Sequence, residues 1–240
     1  RGLVRTSEDF GKQGDPPSHP ELLDWLAAEF MQPKTARPWS MKALHRLIVT
    51  SATYRQSSKS RPGLAARDPD NTWLARQSRV RLPAELIRDS ALTASGLLHP
   101  AVGGPSIRPP QPKGVAELAY AGSVKWNDST GPDRYKRGLY IHFQLTTPYP
   151  QLSNFDAPDA AIACSRRQRS YTPLQALNLL NDAVFFEAAQ ALGIRLVQEV
   201  PSGFRERLMR GFRLTLNSDP AEKEVESLAR HFEREIVVLR

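Results

Sequence analysis

The sequence predicts a mainly α-helical fold of the α+β class, with one small antiparallel β element around residues 123–145. Apolar residues recur at helical spacing behind repeated capping signals, which predicts most of the chain to be helical. One segment instead alternates apolar and polar residues, as a half-buried strand does. A stretch rich in proline and glycine between residues 100 and 114 separates the N-terminal helices from the rest.

Capping signals place the N-terminal helices. Ser18 and Glu21 have the spacing of a capping box, and apolar residues at helical spacing follow them: Leu22, Leu23, Leu26 and Phe30. Ser40 can cap a second helix, whose predicted buried stripe is Met41, Leu44, Leu47 and Ile48. Pro83 fits the first position of a third helix, and Gly96 fits its C-terminal cap.

The C-terminal half has similar signals. Thr172 and Gln175 form a second capping box, and Asp182 can restart a helix after it. Apolar side chains four residues apart then predict the next helix: Phe204, Leu208 and Phe212. Asp219 is predicted to cap the last helix.

The β element is predicted from the segment Gly138–Leu145, where Leu139, Ile141, Phe143 and Leu145 alternate with other residues. A single strand leaves its edges unpaired, so it needs a partner. The segment Ser123–Trp126 is the candidate partner.

We expect one domain over residues 1–240, with N-terminal helices over 1–99, a loop over 100–114 and a strand-plus-helix half over 115–240. The chain opens Arg1-Gly2-Leu3-Val4 without Met and without a signal-like apolar segment. We therefore expect it to be a piece of a longer protein.

The net charge of +8 permits a polyanionic partner, but the excess of basic residues is spread thinly along the chain. The densest clusters are Arg76, Arg79, Arg81 and Arg88, and then Arg166, Arg167 and Arg169. Polyanion binding through these clusters is one hypothesis, whereas no basic run typical of a nucleic-acid arm is present. No apolar stretch approaches the roughly 20 residues of a membrane span.

Several chemistries are excluded for this chain alone. The single cysteine, Cys164, rules out an internal disulfide and any site needing two cysteines, including covalent c-type haem. The sequence contains no P-loop, no G-x-S-x-G motif and no pair of histidines four residues apart. We therefore predict no metal site and no cofactor within it.

The strongest polar cluster contains Asp156 and Asp159, three residues apart around Pro158. Two such carboxylates can serve as acid and base, or bind a hard cation. The alternative is structural: both carboxylates cap a turn and pair with Arg166 or Arg167, which holds the loop against the Thr172 helix. Carboxylates at this spacing are common in turns, which favours the structural interpretation. If the cluster is functional, we expect recognition of a ligand rather than bond breaking.

The same candidate pocket includes further polar side chains downstream: Cys164, Arg166, Arg167, Thr172, Gln175, Asn178 and Asn181. Cys164 could be a nucleophile if folding brings His142 close, but a buried, inert thiol is the more common case. Trp126 and Tyr120, which follow the Pro-rich loop, are a candidate stacking surface for sugars or ordinary core residues.

Three segments in order resemble a known family: Gly14–Leu26, Lys42–Ser58, and Phe155–Asp159 followed by Cys164 and Thr172–Asp182. Together they resemble the planctomycete PSD-one family of unknown function, from Gly2 to about Pro220. The resemblance implies an extracytoplasmic (periplasmic) setting, and cytochrome c and companion domains upstream on the same polypeptide, with the c-type haem held there. It supplies no activity and no catalytic residue.

Three functional hypotheses follow. The first is a non-catalytic accessory module that positions the haem unit or binds a cell-envelope or glycan partner. The second is a hydrolase or polysaccharide-modifying domain that uses Asp156 and Asp159. The third is the polyanion-binding module described above.

Overall fold

A computed structural model describes residues 3–59, 61–118 and 125–238 of the chain. The described part is mainly helical, which confirms the predicted class at that level. Its α-helices are α1 (Pro20–Met31), α2 (Met41–Thr50), α3 (Ala52–Arg55), α4 (Leu64–Arg67), α5 (Ala84–Ser95), α6 (Pro150–Asn154), α7 (Pro173–Asn181), α8 (Ala183–Glu199), α9 (Phe204–Leu216) and α10 (Glu222–Val238).

The chain forms two compact units, residues 1–81 and residues 82–240. Helices α1–α4 belong to the first unit and α5–α10 to the second. Helix α5, which the sequence analysis grouped with the N-terminal helices, therefore packs within the C-terminal unit. The assignment of the chain to one domain stays a prediction.

Helix starts in the N-terminal unit follow the sequence in one case and not in the other. Ser40 caps α2, because its Oγ accepts the backbone N–H of Ala43 at 3.2 Å. The predicted box at Ser18 and Glu21 is wrong: α1 begins at Pro20, and His19 is its N-cap without a side-chain bond. Ser18 is used otherwise, since its Oγ donates to the Leu3 carbonyl at 3.1 Å.

The N-terminal unit buries little apolar surface. Among its described residues only Asp68 is fully buried, with its carboxylate accepting the N–H groups of Thr72 and Trp73 at 2.7 and 3.0 Å. The predicted buried stripe of α2 is therefore wrong at its ends, where Met41 is 56% and Ile48 39% exposed.

The C-terminal unit holds the hydrophobic core. Helix α5 packs against α8 and α6, and Gly96 ends α5 in the left-handed conformation, as predicted. The helix begins at Ala84, so Pro83 is its N-cap, one position earlier than expected. The main cluster joins residues from four separate segments of the chain: Ala84, Ile107, Ile141, and then Tyr149, Leu152 and Phe155 of α6 and its caps.

The predicted antiparallel β element is not confirmed. Among described residues, Gly131–Tyr135 and Gly138–Tyr140 are 3-10 turns, and the bridges in this region are isolated and parallel, such as Ile107 with Ile141. Ser123 and Val124 of the proposed partner strand lie outside the described residues. The apolar alternation does not form one buried face, because Leu139 and Leu145 are 73% and 67% exposed.

Helix α7 is closed at its start as the sequence predicts, with Gln175 Oε1 accepting the Thr172 N–H at 3.3 Å. Asp182 caps α8 by accepting the Val184 N–H at 2.9 Å.

Helix α9 also forms as predicted, and Phe204 packs on Phe232 of α10 with ring centroids 4.6 Å apart. The predicted Asp219 cap is wrong. Helix α10 begins at Glu222, and Asp219 forms an ion pair with Arg213 instead.

No helix in the described part of the chain combines the length and the apolar character that crossing a bilayer requires.

Candidate functional site

The two candidate carboxylates lie in the loop after α6 and are used in different ways. Asp156 adopts a left-handed backbone with φ of 59°. Its Oδ1 accepts the hydroxyl of Ser170 at 2.7 Å, and its Oδ2 accepts the backbone N–H of Ser170 at 2.8 Å. Asp159 is exposed, and its Oδ1 accepts the N–H of Ala161 at 3.0 Å within its own turn.

Gln175 extends this network into α7. The residue is only 6% exposed, and its Nε2 donates to the Asn154 carbonyl at 2.9 Å and to Ser170 Oγ at 3.2 Å. Together with Asp156 it ties the end of α6 to the start of α7. These side chains thus fix the ends of the loop 155–171.

Arg167 holds the middle of the same loop, but not through the nearby aspartates. Its guanidinium forms a two-pronged pair with Glu85 of α5, at 2.7 and 3.0 Å, across 82 residues of sequence. Burial alone raises the pKa of Glu85, and the hydrogen bonds and charge of Arg167 outweigh it, so the pKa lies below its ordinary value. The structural hypothesis predicted an ion pair that holds the loop, and Arg167 forms one, but with Glu85 instead of Asp156 or Asp159.

Cys164 and Arg166 lie on the exposed stretch of this loop. The expectation of a buried thiol is wrong, because the loop from 159 to 169 lies on the surface. Arg166 makes no side-chain hydrogen bond or ion pair with the described residues.

The two candidate asparagines of α7 contact their own helix and its end. Asn178 Nδ2 donates to Asp182 Oδ2 at 3.3 Å, while its Oδ1 is buried without a partner among the described atoms. Asn181 is exposed, and its Nδ2 donates to the Leu177 carbonyl at 2.9 Å. Both amides therefore take part in ending α7 rather than facing a shared opening.

Trp126 is half-buried, with its ring packed against the core. It stacks on Tyr149 with centroids 5.7 Å apart and an interplanar angle of 8°, and its Nε1 donates to the Pro109 carbonyl at 2.8 Å. Tyr149 donates to the Pro110 carbonyl at 2.9 Å. Both contacts fix the Pro-rich loop, which is a structural role for Trp126. Tyr120, its proposed companion, lies outside the described residues.

A buried polar cluster around Arg88 is the feature that the sequence analysis missed. Arg88 is 1% exposed on the inner face of α5. Its guanidinium donates to the carbonyls of Lys136 and Arg134 at 2.5 and 2.8 Å, while its Nε has no partner among the described atoms. Next to it along α5, Asp89 accepts the Gly138 N–H at 2.6 Å.

Burial shifts the pKa values of the ionisable side chains in this cluster. Burial lowers the pKa of Arg88, although the nearby Tyr149, Asp89 and Asp182 oppose that change. Burial likewise raises the pKa of Asp89 and of Asp182, against the N–H groups that their carboxylates accept. The cluster is built to hold backbone in place, because the donors of Arg88 end on main-chain carbonyls.

One signal in the sequence could have found this cluster. Ala84, Arg88 and Leu92 are four residues apart on α5, and all three are 1% exposed. An arginine at a core position of a helical stripe needs internal acceptors, and carbonyls of chain without regular structure are the natural supply. Grouping Arg88 with its sequence neighbours as a surface patch hid that position.

Comparison with protein families identifies the family of this chain. The PSD1 family model, described as a protein of unknown function (DUF1553), matches residues 1–232. The chain belongs to the PSD1 family. No curated protein and no solved structure matches it.

Some arginines of each basic cluster of the PSD1 chain are used in internal contacts. Arg76 donates to the carbonyls of Asp68 and Pro69 at 2.8 and 3.0 Å. Arg88 is buried, and Arg167 is paired with Glu85. Arg166 and Arg169 of the second cluster stay exposed, so the polyanion hypothesis would depend on these residues rather than on the whole of either cluster.

Metal chemistry also lacks an assembled donor set in the described residues, where no three His, Cys, Asp or Glu side chains are grouped as ligands. Asp156, Arg167 and Gln175 instead hold the loop between α6 and α7 against its neighbours. These contacts hold both ends and one arginine of the loop in place, while residues 159–169 of the loop stay exposed to solvent.

Proposed function

We propose that this PSD1-family chain is a non-catalytic accessory module whose N-terminal unit binds another protein. The observation that carries the proposal is the apolar surface of α1 and α2. Leu22 is 37%, Trp25 51% and Ile48 39% exposed, and no apolar side chain is fully buried in the described part of this unit. Apolar surface of this kind is typical of a protein interface.

Stability supports the same function. A unit of about 80 residues normally needs a buried apolar core to offset the entropy lost on folding. This unit has amphipathic helices but only half-buried apolar residues between them, such as Leu44 and Leu47. A partner that covers the exposed faces of α1 and α2 would supply the missing burial.

The candidate carboxylates add indirect support. A general acid or base needs a carboxyl group that can reach a substrate. Asp156 instead accepts two hydrogen bonds from Ser170, and Asp159 accepts one within its own turn. We therefore favour recognition over hydrolysis for this module.

We propose the partner to be the c-type cytochrome segment of the same exported polypeptide, and the setting to be extracytoplasmic. This part of the proposal rests on the family resemblance. The haem would belong to that upstream segment, and the PSD1 module would hold it in position through α1 and α2.

The test begins with the parent reading frame, which we expect to encode an export signal and a C-x-x-C-H motif upstream. The haem segment is then produced separately and mixed with the PSD1 chain, and binding is followed by sedimentation at the Soret band of the haem. We expect Trp25→Glu and Ile48→Glu each to weaken binding about tenfold, as interface anchors do.

Val102→Glu is the matched control, because Val102 is 83% exposed and lies on the C-terminal unit. This variant should bind like the unmodified chain. A parent frame without the haem motif would refute the cytochrome partner. A haem segment that binds all three variants equally, or binds none of them including the unmodified chain, would refute docking through α1 and α2.

A further inference from the structure

The N-terminal unit contains a cleft of about 570 Å³ between the end of α1, the following loop and one face of α2. Its apolar lining comes from both helices and includes Phe30, Leu44 and Leu47. Volumes in this range are those of small-molecule sites, which combine an apolar floor with a few polar groups.

Three cationic side chains line the same cleft. Lys42 and Arg46 are four residues apart, so they lie on one face of α2, and Arg37 comes from the loop before it. All three residues are exposed, and within the described residues none of their side chains forms a hydrogen bond or an ion pair.

The negative side of the lining is small. Glu29 is the carboxylate among the lining residues, and its Oε1 accepts the Lys34 N–H at 3.3 Å. The cleft therefore carries an excess of positive charge beside an apolar floor.

These cations differ from the other arginines that the sequence grouped together. Arg76 donates from Nη2 to two internal carbonyls, and Arg167 forms a two-pronged pair with Glu85, so both guanidinium groups are engaged inside the protein. Arg37, Lys42 and Arg46 retain their donors for a ligand. Arginine donors suit the oxygens of phosphates and carboxylates, with which they form paired hydrogen bonds.

We propose that this cleft binds a small organic oxyanion, a phosphate or carboxylate group attached to an apolar or aromatic body. The oxyanion lies between Arg37, Lys42 and Arg46, and the body covers Phe30 and Leu47. Leu22 and Trp25 are not among the residues that line the cleft, and the proposed ligand does not depend on the proposed protein partner.

Phenyl phosphate is the probe, because it joins a dianion to an aromatic ring. Binding to the full chain is measured by titration calorimetry and by the chemical shifts of cleft residues. We expect saturable binding that weakens as salt rises, and weaker binding of inorganic phosphate or phenol alone. Benzoate, a carboxylate of similar size, then shows which oxyanion the cleft prefers.

Arg46→Ala should weaken phenyl phosphate binding about threefold, and Arg37→Ala with Arg46→Ala about tenfold, as expected for partly exposed charge pairs. Arg166→Ala is the matched control, since Arg166 is also exposed and without a partner in the described part. Its affinity should be unchanged. Circular dichroism confirms that each variant keeps its helix content.

Three results would overturn the proposal. The first is no saturable binding of phenyl phosphate or benzoate to the unmodified chain. The second is an equal affinity of the Arg37/Arg46 double variant and the Arg166 control. The third is binding of phenol as tight as that of phenyl phosphate, which would mean that the cations take no part.

Discussion

Gly138→Ala tests how closely the chain after the Pro-rich loop approaches α5. A Cβ added at Gly138 would lie 2.8 Å from both the Cα and the carbonyl oxygen of Glu85, and 3.0 Å from its Cβ. Two of these atoms belong to the helix backbone and cannot rotate away. The added methyl group therefore has to push the turn 138–140 away from α5.

The expected cost follows from that displacement. Overpacking a well-fitted contact costs about 1–3 kcal/mol. Moving the turn also lengthens the bond from the Gly138 N–H to Asp89, which is 2.6 Å, and a lost bond to a carboxylate adds about 1.5–3 kcal/mol. We expect the free energy of unfolding to fall by about 2.5–6 kcal/mol.

Gly193→Ala is the matched control. Gly193 lies inside α8, is exposed, and has no atom within 4 Å of an added Cβ. The same methyl group should here stabilise the protein by about 0.5–1 kcal/mol, because alanine favours the helix interior over glycine.

Urea unfolding followed by circular dichroism measures both variants. The two midpoints should move in opposite directions with similar slopes. A Gly138→Ala variant as stable as the unmodified chain would show that this turn does not press against α5, and the described contact would be wrong.

Three further predictions concern the loop supports and the buried cluster. Asp156→Asn should cost about 1–3 kcal/mol, because an amide NH₂ replaces one of the two acceptors of Ser170, while Asn tolerates the left-handed backbone; urea unfolding measures this. Arg167→Met should lower the free energy of unfolding at neutral pH. Because Arg167 lowers the pKa of Glu85, their pair stabilises the fold when the pH is above the ordinary Glu pKa of 4.5, and this contribution is lost as the pH falls through the folded pKa. The difference in stability between the variant and the unmodified chain should therefore disappear in acid, which urea unfolding at several pH values measures. Asp182→Asn should change the free energy of unfolding by less than about 1 kcal/mol at neutral pH. Burial raises the pKa of Asp182, so its charge is a cost above the folded pKa, and removing that cost offsets the loss of the acceptor for the long bond from Asn178, while Asn keeps the cap to Val184. A loss above about 1 kcal/mol, the usual worth of a cap, would refute this.

The N-terminal caps of α2, α7 and α8 could be predicted from the sequence because each depends on a contact between residues that are close in the chain. Ser40, Thr172 and Asp182 each bond to a backbone or side-chain group within three residues, so their spacing in the sequence reports the contact directly. Ser18 and Asp219 are also residue types that cap helices, yet Ser18 donates to the distant Leu3 carbonyl and Asp219 pairs with Arg213. Competition of this kind is not visible in a capping pattern.

The β element is not confirmed, and the partner of Arg167 was predicted wrongly, because both depend on contacts between distant parts of the chain. Alternation over Leu139–Leu145 predicts a strand only when a flat neighbour pairs with it, and here the chain turns against α5 at Gly138. Arg167 was assigned to nearby aspartates because they are close in sequence, whereas its partner Glu85 is 82 residues away. Long-range pairing is decided by the packing of α5, which composition and spacing do not encode.

The fork of Arg88 has a consequence for how this protein tolerates insertions. One rigid guanidinium bonds to the carbonyls of Arg134 and Lys136, so the length of chain between those two carbonyls is fixed by the width of a single side chain. Adding or deleting a residue there would displace one carbonyl and leave a buried N–H group of Arg88 without an acceptor. Length variation among related chains should therefore fall in the exposed stretch near Val102 and spare residues 134–136.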